Sequence, residues 1–325
     1  MTDTPDPKPS MASQEMTQVP SDDNEPLSDE TSIITADLLP SPATRPRPVW
    51  TAIMVTVAAI FLSAMVSVIV LVLAASMDQG LESFVDAKTW MAWIEDFSQT
   101  RGGLLLVLLP SQTVFLLVAC IAAILSPRPF SRRLRLGLGV LPLWTWAIFL
   151  IGTPIIGWGS SQILSLMVDE LSENLEFIES MMRWHIRQSL PLLFVLVAIV
   201  PGVFEEFLFR GYLLTRLAER WHPFWAILVS AMIFSLAHLD PLHSLGVLPL
   251  GLWLGAVAWK TGSVWPAVLC HIANNATAIL WVMILPEGQE RMAWDGIAVV
   301  TLVICTPAFL LSLWIFKRLG SGLDL

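Results

Sequence analysis

Charge is what this 325-residue chain has least of. Only 14% of its residues are Asp, Glu, Lys or Arg, against roughly 25% in soluble domains, and the shortfall excludes an ordinary water-soluble globule. Cysteine is nearly as scarce. Cys120, Cys270 and Cys305 all fall in apolar runs with no metal-type spacing, so they read as small buried hydrophobes and say nothing about redox compartment. There is no HExxH zinc pair, no internal repeat, and no polar–apolar alternation of the kind a transmembrane β-barrel needs. The net charge of -9 points to no nucleic-acid partner. Residues 1 to 40 hold nine acids against the single base Lys8, so the tail carries -8 of it and the rest of the chain is close to neutral.

What the chain has instead is hydrophobicity: 55% apolar residues and a mean hydropathy of +0.69. Several runs reach the roughly 20 residues that cross a bilayer as a helix, which predicts an all-α, polytopic transmembrane bundle held in a lipid bilayer. Eight spans can be drawn, near 49–76, 103–126, 140–167, 189–212, 223–242, 244–260, 263–285 and 296–316. The sixth is the shortest and carries Gly246, Pro249, Gly251 and Gly255, so a kinked or re-entrant segment is expected there. Residues 1–48, acidic and rich in proline, cannot bury enough apolar surface to offset ordering and are expected to be a disordered cytoplasmic tail. The first helix then acts as an uncleaved anchor. The expected organisation is this tail, N-terminal helices over 49–187, a core over 188–285, and a last helix with a short tail over 286–325.

Loop charge alternates along the chain. Arg45 and Arg47, then Arg128, Arg132, Arg133 and Arg135, then Arg216 and Arg220, Lys260, and finally Lys317 and Arg318 fall on one side. Asp78, Glu82, Asp86, Glu95 and Asp96, and later Asp169, Glu170, Glu173, Glu176 and Glu179, fall on the other. The positive-inside rule places both termini in the cytoplasm. Leu171, Leu175, Ile178 and Met182 recur at near-helical spacing, which predicts an amphipathic helix lying on the surface over about 168–187, with His185 as a plain interfacial residue. Many of the fifteen tryptophans, Trp50, Trp221 and Trp225 among them, fall where aromatic belts form.

The chemistry is concentrated in three places. Glu205, Glu206 and Arg210 lie in an apolar run, where an ionised carboxylate is costly unless it is paired or faces a cavity. Residues four apart share a helix face, so Glu206 can pair with Arg210. Glu205 is turned about 100° away and is left for a cavity, as suits a general base. His238 follows Phe234 by one turn at the end of the fifth span, and His243 is expected in a loop. His271 and Asn275, again four apart, share a face of the seventh span. They can polarise an oxyanion, bind a metal, or bond two helices, while Asn274 points elsewhere as a packing or interhelical hydrogen-bond residue. With these span limits, Glu205 and His238 differ in depth by several ångström. They meet only if the fourth span breaks at Pro201-Gly202 or the fifth starts later or tilts.

In order along the chain, Glu205-Glu206-Phe-Leu-Phe-Arg210, Phe234-Ser-Leu-Ala-His238 and His271-Ile-Ala-Asn-Asn275 resemble the EExxxR, FxxxH and HxxxN motifs of the CPBP family. These are CAAX-processing and bacteriocin-processing intramembrane proteases, also termed the Abi family. The resemblance covers about 190–285. It implies a peptidase acting on a peptide or protein substrate in the membrane, in a bacterial plasma membrane. Glu205 would be the base on water, His238 would orient or activate it, His271 and Asn275 would hold the oxyanion, and Glu206, Arg210 and Phe234 would support the site. No cofactor is required in that mechanism, which is preferred here. The alternative is a zinc ion held by Glu205, His238 and His271. Two other functions fit the same residues: a proton- or ion-coupled transporter, since buried acids and histidines also mark proton relays, and an inactive membrane scaffold.

Overall fold

The computed structural model describes residues 48–80, 86–168, 172–285 and 296–319. The acidic tail expected over 1–48 lies outside them apart from Pro48, as do Glu82, Asp169 and Glu170 of the acidic loops. Among the described residues there are ten helices and no strand: α1 (Trp50–Asp78), α2 (Ala87–Ser98), α3 (Arg101–Ile124), α4 (Phe130–Arg133), α5 (Leu143–Met167), α6 (Glu173–Ala218), α7 (Pro223–Leu236), α8 (Pro241–Thr261), α9 (Trp265–Ile284) and α10 (Gly296–Arg318). Seven of these are long and apolar enough to cross a membrane. The chain is a polytopic helical membrane bundle.

The span count needs correction at one helix. α7 has only 14 residues, about 21 Å of rise, which is short of the roughly 30 Å hydrocarbon core. The expected short span, the sixth, is in fact 21 residues long and begins earlier, at Pro241. The physical cause is a helix start. Asp240 accepts the His243 N–H at 2.6 Å and Pro241 occupies the first turn, a strong N-terminal signal. Leu239 takes a positive φ of 56° just before it. His238 therefore sits in the turn between α7 and α8, not inside a span.

The apolar windows of α1 and α10 are only 17% buried, whereas those of α6 and α8 are 44% buried. Exposed Phe61, Leu73 and Val303 mark the outer helices as the lipid-facing wall, and α6 and α8 as the centre. Loop ends segregate into two groups. Arg128, Arg133 and Arg216 meet at Glu219, Val140 bonds Thr261 and Val264 bonds Arg135, and Trp50 packs on Trp221 at 6.1 Å. At the opposite end, Trp93 Nε1 donates to Asp78 and Arg183 Nη1 donates to the carbonyls of Val282 and Leu285.

α6 is the unusual element. Its first part, Glu173 onward, is the segment expected to lie on the surface. Instead it runs into the fourth span through a kink at Ser189 (φ -160°, ψ 48°), and Met181 and Met182 are buried. His185 is not interfacial either: it is fully buried and its Nε2 bonds the Ser98 carbonyl at 2.8 Å. Beyond the kink, two π-helical stretches, Val195–Ile199 and Phe207–Leu214, flank about two α turns, Val200–Glu206. Pro201 lacks the N–H that a regular helix would use, and the widened turn before it absorbs that break.

Candidate active site

Two carboxylates sit between the π stretches of α6, where such distortions often mark function. Widened turns disturb the regular backbone ladder, and a buried carbonyl still needs a donor. Three side chains supply one. Asn275 Nδ2 donates to Val197 O at 3.0 Å, Ser230 Oγ to Phe209 O at 3.0 Å, and Thr215 Oγ1 to Arg210 O at 3.2 Å. The shape of α6 at the diglutamate is thus held from α9, from α7 and from its own next turn.

Close packing brings α9 in. A Cβ on Gly202 would lie 2.5 Å from Ile272 Cγ1 and 3.3 Å from the Ile272 backbone nitrogen, so glycine lets the two helices approach this closely. The approach places His271 beside the acids. His271 Nδ1 lies 3.0 Å from Glu206 Oε1, and His271 Nε2 lies 4.0 Å from Glu205 Oε2. Glu206 Oε1 also accepts Arg210 Nη1 at 2.5 Å, while Arg210 Nη2 donates to Gly251 O at 3.0 Å. The expected i,i+4 pair therefore forms. Glu206 is fully buried, Arg210 and His271 nearly so, and Glu205 is 7% exposed.

Phe234 is the hub that joins the third motif to the other two. Its ring carries the Arg210 guanidinium at 4.2 Å on one side and meets the His271 and His238 rings edge-on at 5.8 and 5.4 Å. Because α7 ends early, His238 lies in the turn with its ring against Phe234, which in turn meets Arg210 and His271. His238 Nδ1 faces the carbonyls of Phe234 and Ser235 at 3.2 and 3.3 Å. Its ring makes no ion pair with either glutamate among the described residues. Nor does any group of three or more His, Cys, Asp or Glu side chains among them stand in position to hold a metal ion. Glu205, His238 and His271 are not gathered as a zinc set in this arrangement.

Three participants escaped the sequence reading. Gln112 of α3 donates from Nε2 to Glu205 Oε1 at 2.6 Å, so Glu205 is not left wholly to a cavity. His243, expected as a loop residue, sits in the first turn of α8 with its ring 4.4 Å from that of His238. Asp240 caps that turn, and the His243 N–H holds its carboxyl below the usual carboxylate range. The Asp-Pro pair at 240–241 was a legible signal for this helix start; Gln112 had none.

An apolar groove of ≈ 370 Å³ between α5, α6, α8 and α9 adjoins the site, with Trp158, Leu250 and Trp281 on its walls. His243 and Asn274 line it too. His243 touches His238, and Asn274 Nδ2 donates to Asn275 Oδ1 at 3.3 Å. Asn274 also packs where Gly157 of α5 leaves room for it. The groove thus reaches the motif residues His238 and Asn275 through His243 and Asn274.

Residues 187–277 match the family described as type II CAAX prenyl endopeptidase Rce1-like. A Bacillus subtilis (strain 168) protein named "Putative membrane peptidase YdiL" is 27% identical over 144 residues, 44% of this chain and 57% of the relative. The chain spans a little over half the length of that curated relative. No solved structure matches. The segment that carries the diglutamate, Phe234, both motif histidines and Asn275 is a domain of the Rce1-like, CPBP type, as its three motifs implied.

Proposed function

We propose that this chain is an intramembrane endopeptidase that hydrolyses a peptide bond of a membrane-associated or C-terminally processed peptide, with Glu205 activating the water. The observation that carries the reading is the buried, unpartnered Oε2 of Glu205, 4.0 Å from His271 Nε2. A water oxygen about 2.8 Å from each would bridge that separation off the line that joins them.

Glu206, beside Arg210, can only accept, so His271 donates to it from Nδ1 and, when neutral, presents the Nε2 lone pair to Glu205. Two acceptors then face one water. Glu205 takes a water proton as the oxygen attacks the carbonyl carbon. The tetrahedral intermediate collapses with C–N cleavage, and Glu205 returns the proton to the leaving amine. With Nδ1 committed, neutral His271 orients the water and cannot itself donate to an oxyanion. Asn275 keeps one amide hydrogen beyond the one given to Val197 O, and that hydrogen is the donor in reach of the motif. His238 and His243 stand at the groove side, where an apolar substrate segment enters. The segregation of arginines to one end of the bundle supports placing that end at the cytoplasmic face of a bacterial plasma membrane.

The test compares membrane peptides from a deletion strain complemented with wild type or with Glu205→Gln. Peptides that vanish with wild type and persist with Glu205→Gln are expected. Matching inventories from the two complemented strains would sink the reading.

A further inference from the structure

We infer that Gln112 of α3, outside the Rce1-like segment, is a positioning residue of the site: it holds Glu205 by Oε1 so that Oε2 is the oxygen that reacts. The inference rests on the peptidase reading above.

Glu205 has two acceptor oxygens, and they are treated differently. Oε1 receives the Gln112 amide at 2.6 Å, a short N–H···O bond. Oε2 has no partner and faces His271 Nε2 at 4.0 Å. A carboxylate turns readily about its last side-chain bond, so without an anchor either oxygen could face the histidine. The amide orientation is forced as well. Only the NH2 end can meet an ionised oxygen without lone-pair repulsion, and this turns Gln112 Oε1 away, buried and unpartnered. An orphaned amide oxygen in an apolar span destabilises the fold, and an apolar residue at 112 would relieve that. Packing alone therefore does not explain a glutamine here.

The support behind Gln112 is stiff. Phe115 lies three residues on, hence on the same face of α3. It is 5% exposed and meets Phe209 of α6 edge-on at 5.9 Å. That contact fixes the separation of α3 and α6 one turn from the Gln112–Glu205 bond. The reacting carboxylate is therefore oriented by a helix 93 residues away in sequence, although all the motif residues lie within 187–277.

Gln112→Met keeps length and suits the apolar surroundings, so the fold is retained. With purified protein in liposomes and a pool of internally quenched membrane-spanning model peptides as probe, kcat should fall about 10- to 100-fold, the range for one charge-assisted hydrogen bond. KM should stay within about twofold, because no substrate contact is removed. Infrared difference spectra give a readout independent of turnover. The carboxylate band that disappears in Glu205→Gln should shift in Gln112→Met and stay put in Thr113→Val. Unchanged kcat in Gln112→Met, or an unshifted band, overturns the role of Gln112. A wild type that cleaves no probe while the band still shifts defeats the peptidase reading and leaves the pairing standing.

Discussion

Two arginine–glutamate clusters, one buried at mid-helix and one partly exposed at the basic end of the bundle, are built from the same parts in opposite proportion. At the end, three arginines converge on one glutamate. Glu219 Oε1 accepts Arg133 at 2.6 Å and Arg128 at 3.3 Å, and Oε2 accepts Arg216 at 2.5 Å. Arg133 is 1% exposed and also bonds Ser126. Burial pushes its guanidinium below the ordinary range, and Glu219 pulls it back. Both oxygens of Glu219 are occupied. In the middle there are two glutamates and one arginine, which pairs with Glu206 alone, and Oε2 of each glutamate is buried without a hydrogen-bond partner. A cluster that only joins helices has no reason to carry a surplus carboxylate in a low-dielectric interior, where it is costly. The surplus separates a site from a strut.

The largest effect should come from removing that surplus charge. Glu205→Gln keeps shape and can still bond Gln112. Peptidase turnover should fall by about a thousandfold or more, as expected when a general base is lost along with its charge, while the melting temperature stays within a few degrees. Turnover at the wild-type rate would make Glu205 a second strut and erase the contrast between the clusters.

Glu206→Gln attacks the paired acid. It leaves the Arg210 guanidinium buried beside a neutral amide and takes the acceptor from His271. Removing one partner of a buried pair costs about 3–5 kcal/mol, so both thermal stability and turnover should drop, and in the same preparation. A variant with wild-type melting temperature and lost activity would place Glu206 among the reacting groups instead.

Much of this was legible from residue order, for identifiable reasons. The Glu206–Arg210 pair follows from helical spacing alone, and so does the bundle from hydropathy. The break at Pro201-Gly202 was visible as a local weakness. Its π form was not, because the carbonyls it leaves are satisfied by Asn275 and Ser230 on other helices. The partner of Glu205 was hidden for the same reason: Gln112 sits in an ordinary apolar run with nothing local to mark it. The His271–Glu206 contact likewise depends on the close approach at Gly202, a tertiary fact. His185 was misplaced at the surface because an amphipathic stripe does not say whether lipid headgroups or α2 and α3 cover it.

At the basic end, Glu219→Gln should lower stability and spare turnover once refolded protein is compared at equal folded concentration. Arg133 and Arg216 would lose a charged partner, but Glu219 is 15% exposed at its side chain, so water softens the loss to about 1–3 kcal/mol. A fall in kcat there would mean that the strut and the site are coupled through the second π stretch of α6, which ends one residue before Thr215.

Arg128→Ala should do least. Its side chain is 55% exposed and its contact to Glu219 is the longest of the three. Exposed pairs contribute about 0–1 kcal/mol, and the two remaining arginines still satisfy both oxygens of Glu219. A shift of a degree or less in melting temperature is expected, shrinking further in high salt, where an exposed pair is screened and a buried one is not. A larger shift would show that the third arginine is needed, and that the basic cluster is balanced as tightly as the acidic one. The proportion of charges would then no longer distinguish strut from site, and the assignment of Glu205 would rest on its unpartnered oxygen and the histidine facing it.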